Sequence, residues 1–324
     1  MRTKLPIQSS FLAIAAVSAM ALSSAASATT PSKIVAFGDS LSDNGNVLAR
    51  FGGAVPAAPY YQGRFSNGPV AVEVMAQTLG LGLEDLAYGG AKTGLDNHIT
   101  TGGFLNGTGV KSQVNNYVAA HTGSVDASAL YVVWAGANDF FDAFTAATVA
   151  TATQNLLQDV AALYGAGARQ FFIPTLPDLQ YTADAIAAGG AQQTGAHLLS
   201  VAFNGTLTSA MGNLQSTLPG AQIQVFDVNP VLTSIRGNYA NVSNPCWTGS
   251  YQGFNQPGTL CANPAGNYLW DSVHPSASVH LAVGKAFAAA VPEPESYALV
   301  LVGLLTVAAV RGPRHRKPGL SIQA

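Results

Sequence analysis

Lys33-Ile34-Val35-Ala36-Phe37-Gly38-Asp39-Ser40-Leu41-Ser42 opens as an unbroken apolar run and turns polar immediately after Gly38. A short run rich in Val, Ile and Phe suits a strand covered on both faces. Similar runs occupy residues 129–136 (A-L-Y-V-V-W-A-G), 169–175 (R-Q-F-F-I-P-T) and 222–228, with a shorter candidate at 85–88. Longer, Ala-rich stretches with helical character separate them, at 69–79, 110–121, 148–164, 192–214 and 276–290. Strand and helix alternating at this spacing predict βαβ units and a parallel sheet. In such sheets reacting groups collect at the carboxyl ends of the strands, which is where Ser40 falls.

Three further pieces follow in order. Gly89-Gly90 comes after the second strand candidate, Gly136-Ala137-Asn138-Asp139 after the third, and Asp271-Ser272-Val273-His274-Pro275 just before the last helix. Each has a plain structural reading when taken alone. Ser40 could cap a turn, Asn138 could cap a helix beginning near Phe140, and Asp271 with His274 could be a helix cap beside a surface histidine. Together they can converge on one edge of the sheet as a nucleophile, a base and polar donors. Ser42 stands where the nucleophile elbow G-x-S-x-G needs its second glycine, so the α/β-hydrolase signature is excluded.

The stretch Phe37 to Asn46, the G-x-N-D piece and the D-x-x-H piece together resemble the GDSL family of SGNH hydrolases, over residues 33–290. Residues 261–264 (C-A-N-P) and 268–271 (Y-L-W-D) are also similar to family members in the approach to the histidine. The resemblance implies a three-layer αβα sandwich around a flavodoxin-like parallel sheet of about five strands. It also implies ester hydrolysis through an acyl-serine. Carried over, the nucleophile falls on Ser40, the general base on His274, and the carboxylate that orients the base on Asp271. The oxyanion donors would be the backbone N–H groups of Ser40 and Gly90 and the side-chain amide of Asn138, with Gly89 the alternative to Gly90. The chemistry needs these types: a serine hydroxyl needs a hydrogen-bonded base, the base needs a carboxylate to fix its tautomer, and the oxyanion needs preorganised donors. Two other functions stay open. One is deacetylation of an extracellular polysaccharide by the same machinery. The other is non-catalytic glycan binding by a surface or matrix protein on a hydrolase scaffold, which loss of a catalytic residue would favour; none is missing.

The two ends read as processing signals. Arg2 and Lys4, an uncharged run over 11–22, and Ala26-Ser27-Ala28 give the three-part layout of a signal peptide over residues 1–28. At the other end, Pro292-Glu293-Pro294 precedes an apolar run at 297–310 and the basic residues Arg311, Arg314, Arg316 and Lys317. A hydrophobic run followed by basic residues is a stop-transfer pattern. Residues 291–324 resemble the PEP-CTERM sorting tail of Gram-negative bacteria, which implies transient anchoring in the inner membrane and cleavage by an exosortase-type protease. The expected hydrolase domain is 29–290, at the cell surface or outside the cell.

Between those ends eight basic residues face fourteen acidic ones, a net charge of −6, so no basic surface is available for nucleic acid. An even cysteine pair, Cys246 and Cys261, in an exported domain predicts a disulfide. Neither H-E-x-x-H nor C-x-x-C occurs, and the glycine spacing at 107–112 fails the P-loop pattern, so no metal or cofactor is expected. The expected substrate is an ester of a small molecule, a lipid or an acylated polysaccharide. Tyr60, Tyr61, Phe65 and Trp247 either line its groove or pack loops.

Overall fold

Residues 30–251 and 257–291 are described by a computed structural model. The expected signal peptide and the tail beyond Val291, including the apolar run at 297–310, lie outside these residues. The strands are β1 (Lys33–Gly38), β2 (Gly82–Asp85), β3 (Leu130–Trp134), β4 (Gln170–Pro174) and β5 (Gln222–Phe226). The helices are α1 (Asn46–Arg50), α2 (Ala71–Leu79), α3 (Val110–Ala120), α4 (Ala137–Asp142), α5 (Ala146–Gly165), α6 (Ala183–Ala188), α7 (Gly190–Thr217), α8 (Asn229–Arg236) and α9 (Ala277–Ala290). The sheet runs β2-β1-β3-β4-β5 with all neighbours parallel, the flavodoxin-like order that the resemblance implied.

Alternation along the strands divides the interior into two cores. Val35, Phe37, Tyr131, Val133, Phe171 and Ile173 face one side, where α3, α5 and α7 cover them. Ile34, Ala36, Leu130, Val132, Trp134 and Phe172 face the other, under α2 and α9. Successive side chains of a strand point to opposite faces, so a strand buried on both faces has no polar position left. That is why β1, β3 and β4 read as continuous apolar runs. The result is three layers, helices on both faces of a parallel sheet.

The edges depart from expectation. The second strand was placed at 85–88, but regular pairing spans Lys33↔Gly82 to Ala36↔Asp85. The expected segment continues along the same neighbour, with the Leu86 N–H donating to Ala36 O and the Tyr88 N–H to Gly38 O. An edge strand is only half covered, so Glu84 is tolerated, and its ion pair with Lys33 (2.6 Å) runs across the strand pair. For the same reason β5 is no buried strand: Gln222 is exposed and the rest half-buried. Three helices, α1, α6 and α8, form where no helix was expected. The first follows the serine turn, with Asp43 taking the N–H groups of Gly45, Asn46 and Val47 at its start. A carboxylate just ahead of a helix is an ordinary capping signal.

Asp159 sits on α5 inside the first core at 1% exposure, and its Oδ2 has no hydrogen-bond partner among the described residues. Burial pushes its carboxyl up to about 7, against the opposing charge of Lys111. The folded value exceeds the unfolded one, so the contribution of protonated Asp159 is intact below about pH 4 and is lost as pH rises through 7. Asp159→Asn removes that dependence. Urea unfolding from pH 4 to 8 should show the variant gaining on the wild type by roughly 2–4 kcal/mol up to about pH 7, then levelling off. Parallel stability curves would mean that ionising Asp159 carries no burial cost.

Candidate active site

His274 stands between Ser40 and Asp271. Its Nε2 lies 2.7 Å from Ser40 Oγ, and its Nδ1 lies 2.7 Å from Asp271 Oδ2 and 2.9 Å from Oδ1. A carboxylate only accepts, so Nδ1 carries the hydrogen and Nε2 turns a lone pair to the serine. Exposures are 8% for Ser40, 4% for His274 and 0% for Asp271. Ser40 comes directly off β1, whereas Asp271 and His274 belong to one tight turn ahead of α9. In that turn Asp271 Oδ1 accepts the N–H groups of Val273 (3.0 Å) and His274 (2.7 Å). The Trp270 N–H donates to His274 O at 2.8 Å, so the ring is fixed from its own backbone.

The turn after β1 is built on two buried carboxylates. Asp39 Oδ1 accepts the Leu41 N–H at 3.0 Å, and the Ser42 and Asp43 N–H groups close back on Asp39 O. Asp43 Oδ2 accepts the Gly89 N–H at 2.8 Å and so ties the Gly89-Gly90 loop to the serine turn. Burial pushes the Asp39 carboxyl up to about 7, and that of Asp43 up to about 6 against the backbone N–H groups it accepts. Gly90 has a φ of 78°, and a Cβ there would run into Asn97 Oδ1. The Gly90 carbonyl accepts the His98 N–H at 2.8 Å, and the Gly89 carbonyl accepts Asn97 Nδ2 at 2.9 Å.

Asn138 lies in the first turn of α4 and does not cap a helix beginning at Phe140; that place is taken by Gly136. Gly136 has a φ of 135°, and a Cβ would lie 2.8 Å from the Phe203 ring, so the tight entry into α4 depends on glycine. Asn138 Nδ2 donates to Ala91 O at 3.1 Å and makes a longer contact of 3.4 Å with Asp39 Oδ2. One amide hydrogen is thus anchored and the other weakly engaged. The neighbouring Asp139 accepts the backbone N–H and hydroxyl of Thr93, which joins α4 to the glycine loop.

Ser40, Asn138 and His274 share the wall of one cavity with Trp134, Leu176, Leu179, Val228, Leu232 and Val279. The cavity therefore offers polar groups beside a mostly apolar surface. His280 borders it too and packs as a neutral ring: its Nδ1 accepts the Ala71 N–H at 3.2 Å, and burial brings it down to about 3. The expected disulfide joins Cys246 to Cys261. The segment it closes docks on the turn of Asp271, with the Trp247 N–H donating to Trp270 O at 2.7 Å and the Cys246 N–H to Leu269 O at 3.2 Å.

The aromatic residues left open by the sequence divide. Phe65 packs against the imidazole of His274, ring centroids 5.3 Å apart, and Tyr251 meets it edge-on at 5.0 Å. Tyr60 is buried and donates its hydroxyl to Asp271 Oδ2 at 2.8 Å. Tyr61 is 40% exposed, and Trp247 packs beside the disulfide. Nothing in the sequence near Tyr60 announces its partner 211 residues away. Asp43 did carry a signal, as part of the polar stretch that follows β1.

Residues 34–287 match the profile of the GDSL-like Lipase/Acylhydrolase family. The chain is 26% identical over 328 residues to phosphatidylcholine-sterol acyltransferase of Aeromonas hydrophila, covering 85% of this chain and 94% of that protein. It is 25% identical over 305 residues to a GDSL esterase/lipase of Arabidopsis thaliana, covering 75% of this chain and 86% of that one. In structure it is similar to phospholipase A1 from Streptomyces albidoflavus NA297, with a TM-score of 0.45 and 16% identity over 80% of this chain and 100% of that one. The family profile takes in every strand of the sheet, the serine turn and the Asp271–His274 turn, and on that match the chain belongs to the GDSL-like lipase/acylhydrolase family, hydrolases that act on esters.

Proposed function

We propose that the chain is an exported serine esterase that hydrolyses carboxylic esters through an acyl-serine, with Ser40 as nucleophile, His274 as general base and Asp271 as the carboxylate that orients it. The observation that carries this reading is the continuous chain of hydrogen bonds from Ser40 through His274 to Asp271, open to the cavity at its serine end. Ser40 Oγ attacks the ester carbonyl carbon while its proton passes to His274 Nε2. The carbonyl oxygen becomes an oxyanion, and collapse breaks the bond to the alcohol oxygen, which leaves with the proton from His274. Water repeats the sequence on the acyl-serine, releasing the acid and restoring Ser40. Asp271 stabilises the imidazolium in both halves.

The oxyanion donors are the backbone N–H groups of Ser40 and Gly90 with Asn138 Nδ2. The Gly89 N–H already donates to Asp43, which favours Gly90 over its neighbour. The apolar wall of the cavity favours an acyl group longer than acetyl, with burial contributing about 0.8 kcal/mol per methylene. Export is supported by the layout of residues 1–28 and by the Cys246–Cys261 disulfide, a bond of oxidising compartments. The Pro292-Glu293-Pro294 tail adds a signal for anchoring, followed by release at the surface through a sorting protease.

Ser40→Ala should lower hydrolysis of p-nitrophenyl esters by roughly 10⁴-fold or more without unfolding the protein. Turnover close to wild type would remove Ser40 from the mechanism. On a series of graded acyl length, rates should rise from acetyl toward medium chains. A preference for acetylated xylan, with the longer esters left intact, would make the protein a polysaccharide deacetylase instead.

Asn138→Ala should cut kcat by about 10²–10³ while KM changes little, because its amide acts on charge that develops only in the transition state. A rise in KM alone would assign Asn138 to ground-state binding.

Mass spectrometry of the extracellular protein from the native host should find neither residues 1–28 nor the peptide beyond Pro292-Glu293-Pro294. Recovery of the terminal basic peptide on that form would rule out sorting and cleavage, and would leave the esterase reading untouched.

A further inference from the structure

Asp271 has one carboxylate oxygen satisfied by its own turn and one that is not. Oδ1 takes the Val273 and His274 N–H groups, whereas Oδ2 faces His274 Nδ1 and the hydroxyl of Tyr60. At 0% exposure this carboxylate is cut off from bulk solvent, and Tyr60 supplies a donor that solvent would otherwise provide. Tyr60 is itself held. It is 7% exposed, its ring meets Phe65 at 6.2 Å and Trp270 at 6.1 Å edge to face, and its N–H donates to Ala57 O. The segment carrying it is pinned to the histidine turn at two further points. Ser66 Oγ donates to Pro275 O at 3.1 Å, and Asn67 Oδ1 accepts the Ala277 N–H at 2.7 Å. A phenol so placed spends its hydroxyl on the carboxylate.

We propose that Tyr60 is a positioning residue of the Ser40–His274–Asp271 site: its hydroxyl, donated to Asp271 Oδ2, holds the carboxylate against His274 Nδ1 and moderates how tightly it retains the imidazolium proton. The inference rests on the esterase reading above and adds a fourth member to it, one that the sequence left undecided between groove and packing. The physical basis is competition for one oxygen. A charge-assisted bond from the phenol draws electron density from Oδ2, so less remains to hold the imidazolium. Without the phenol the carboxylate binds the imidazolium more strongly, and the base keeps its proton to higher pH. Burial and the Asp271 carboxylate both push the phenol pKa upward, so it stays a donor across the working range.

Other charges around the pair are accounted for. Asp184 on α6 reaches the turn through Ser272 Oγ at 3.0 Å, with its carboxyl pushed up by burial. Asp39 faces His274 from the turn after β1, and His280 faces it from α9. Tyr251 lies edge-on to the imidazole. Only Tyr60 and His274 bond to Oδ2 through side chains among the described residues.

Tyr60→Phe removes the hydroxyl and keeps the ring. We expect kcat to fall about tenfold at unchanged KM, and the acid limb of kcat/KM to move upward by about half a pH unit. Tyr61→Phe, at an exposed position on the same loop, serves as the control and should leave both unchanged. Incorporation of 3-fluorotyrosine at position 60 keeps the fold and strengthens the donor, so the limb should move in the opposite direction. That second measurement decides the matter if Tyr60→Phe folds poorly. A wild-type acid limb in both proteins overturns the proposal, even if kcat falls, because a merely structural tyrosine would leave the limb in place. Ser40→Ala separates the two levels: if it stays active the esterase reading fails, whereas an inactive Ser40→Ala with unshifted Tyr60 proteins defeats only the role of Tyr60.

Discussion

An ionised carboxylate removed from water must recover its solvation from hydrogen-bond donors or cease to be ionised, and Asp271 is completely removed from water. Much of the local architecture follows from that demand. The turn from Asp271 to His274 folds so that two backbone N–H groups reach Oδ1, which brings the imidazole back over the same carboxylate. The Tyr60 loop has to cross from the amino-terminal third of the domain to reach Oδ2. The disulfide-closed segment then packs on Trp270 from the outside, through two backbone hydrogen bonds. Asp39 and Asp43 meet the same demand only in part, and burial raises both carboxyls. Their donors come mainly from the backbone of the serine turn and the glycine loop, and those hydrogen bonds stiffen both.

The parallel sheet supplies what local turns cannot. Because all five strands point the same way, the segments leaving β1, β2 and β3 open on one edge, and the turn before α9 closes over it. Packing of α9 on α2 and the underlying sheet through Val279, Val283 and Phe287 holds that last turn in place. Gly284 allows the close contact, since a Cβ there would strike the Ala71 carbonyl. The site is thus as rigid as the second core beneath it.

What the sequence made legible follows from burial. The central strands β1, β3 and β4 have no solvent face, so their apolar runs were plain. The edge strands β2 and β5 carry Glu84, Gln222 and Gln224: β5 was still found, at 222–228, though not as the buried strand expected, whereas β2 was placed three residues late. Of the candidate site, Ser40, Asn138, Asp271 and His274 could be proposed because each sits in a short motif beside an element boundary. The proposed preference for Gly90 over Gly89 had no local signal, since it rests on the capture of the Gly89 N–H by Asp43, a matter of three-dimensional placement. Tyr60 was equally hidden. A tyrosine in a loop rich in proline and glycine carries no local pattern, and its partner lies in another part of the chain.

The 234 residues between Ser40 and His274 also set a sequence in time. A ribosome delivers Ser40 with the first strand, but the imidazole emerges only when nearly all of the domain has been made, and α9 must follow before its turn is pinned. Until then the serine is an ordinary hydroxyl on an incomplete sheet. On the proposed export, a chain crossing the membrane with its amino terminus leading passes Ser40 across before His274 can stand beside it.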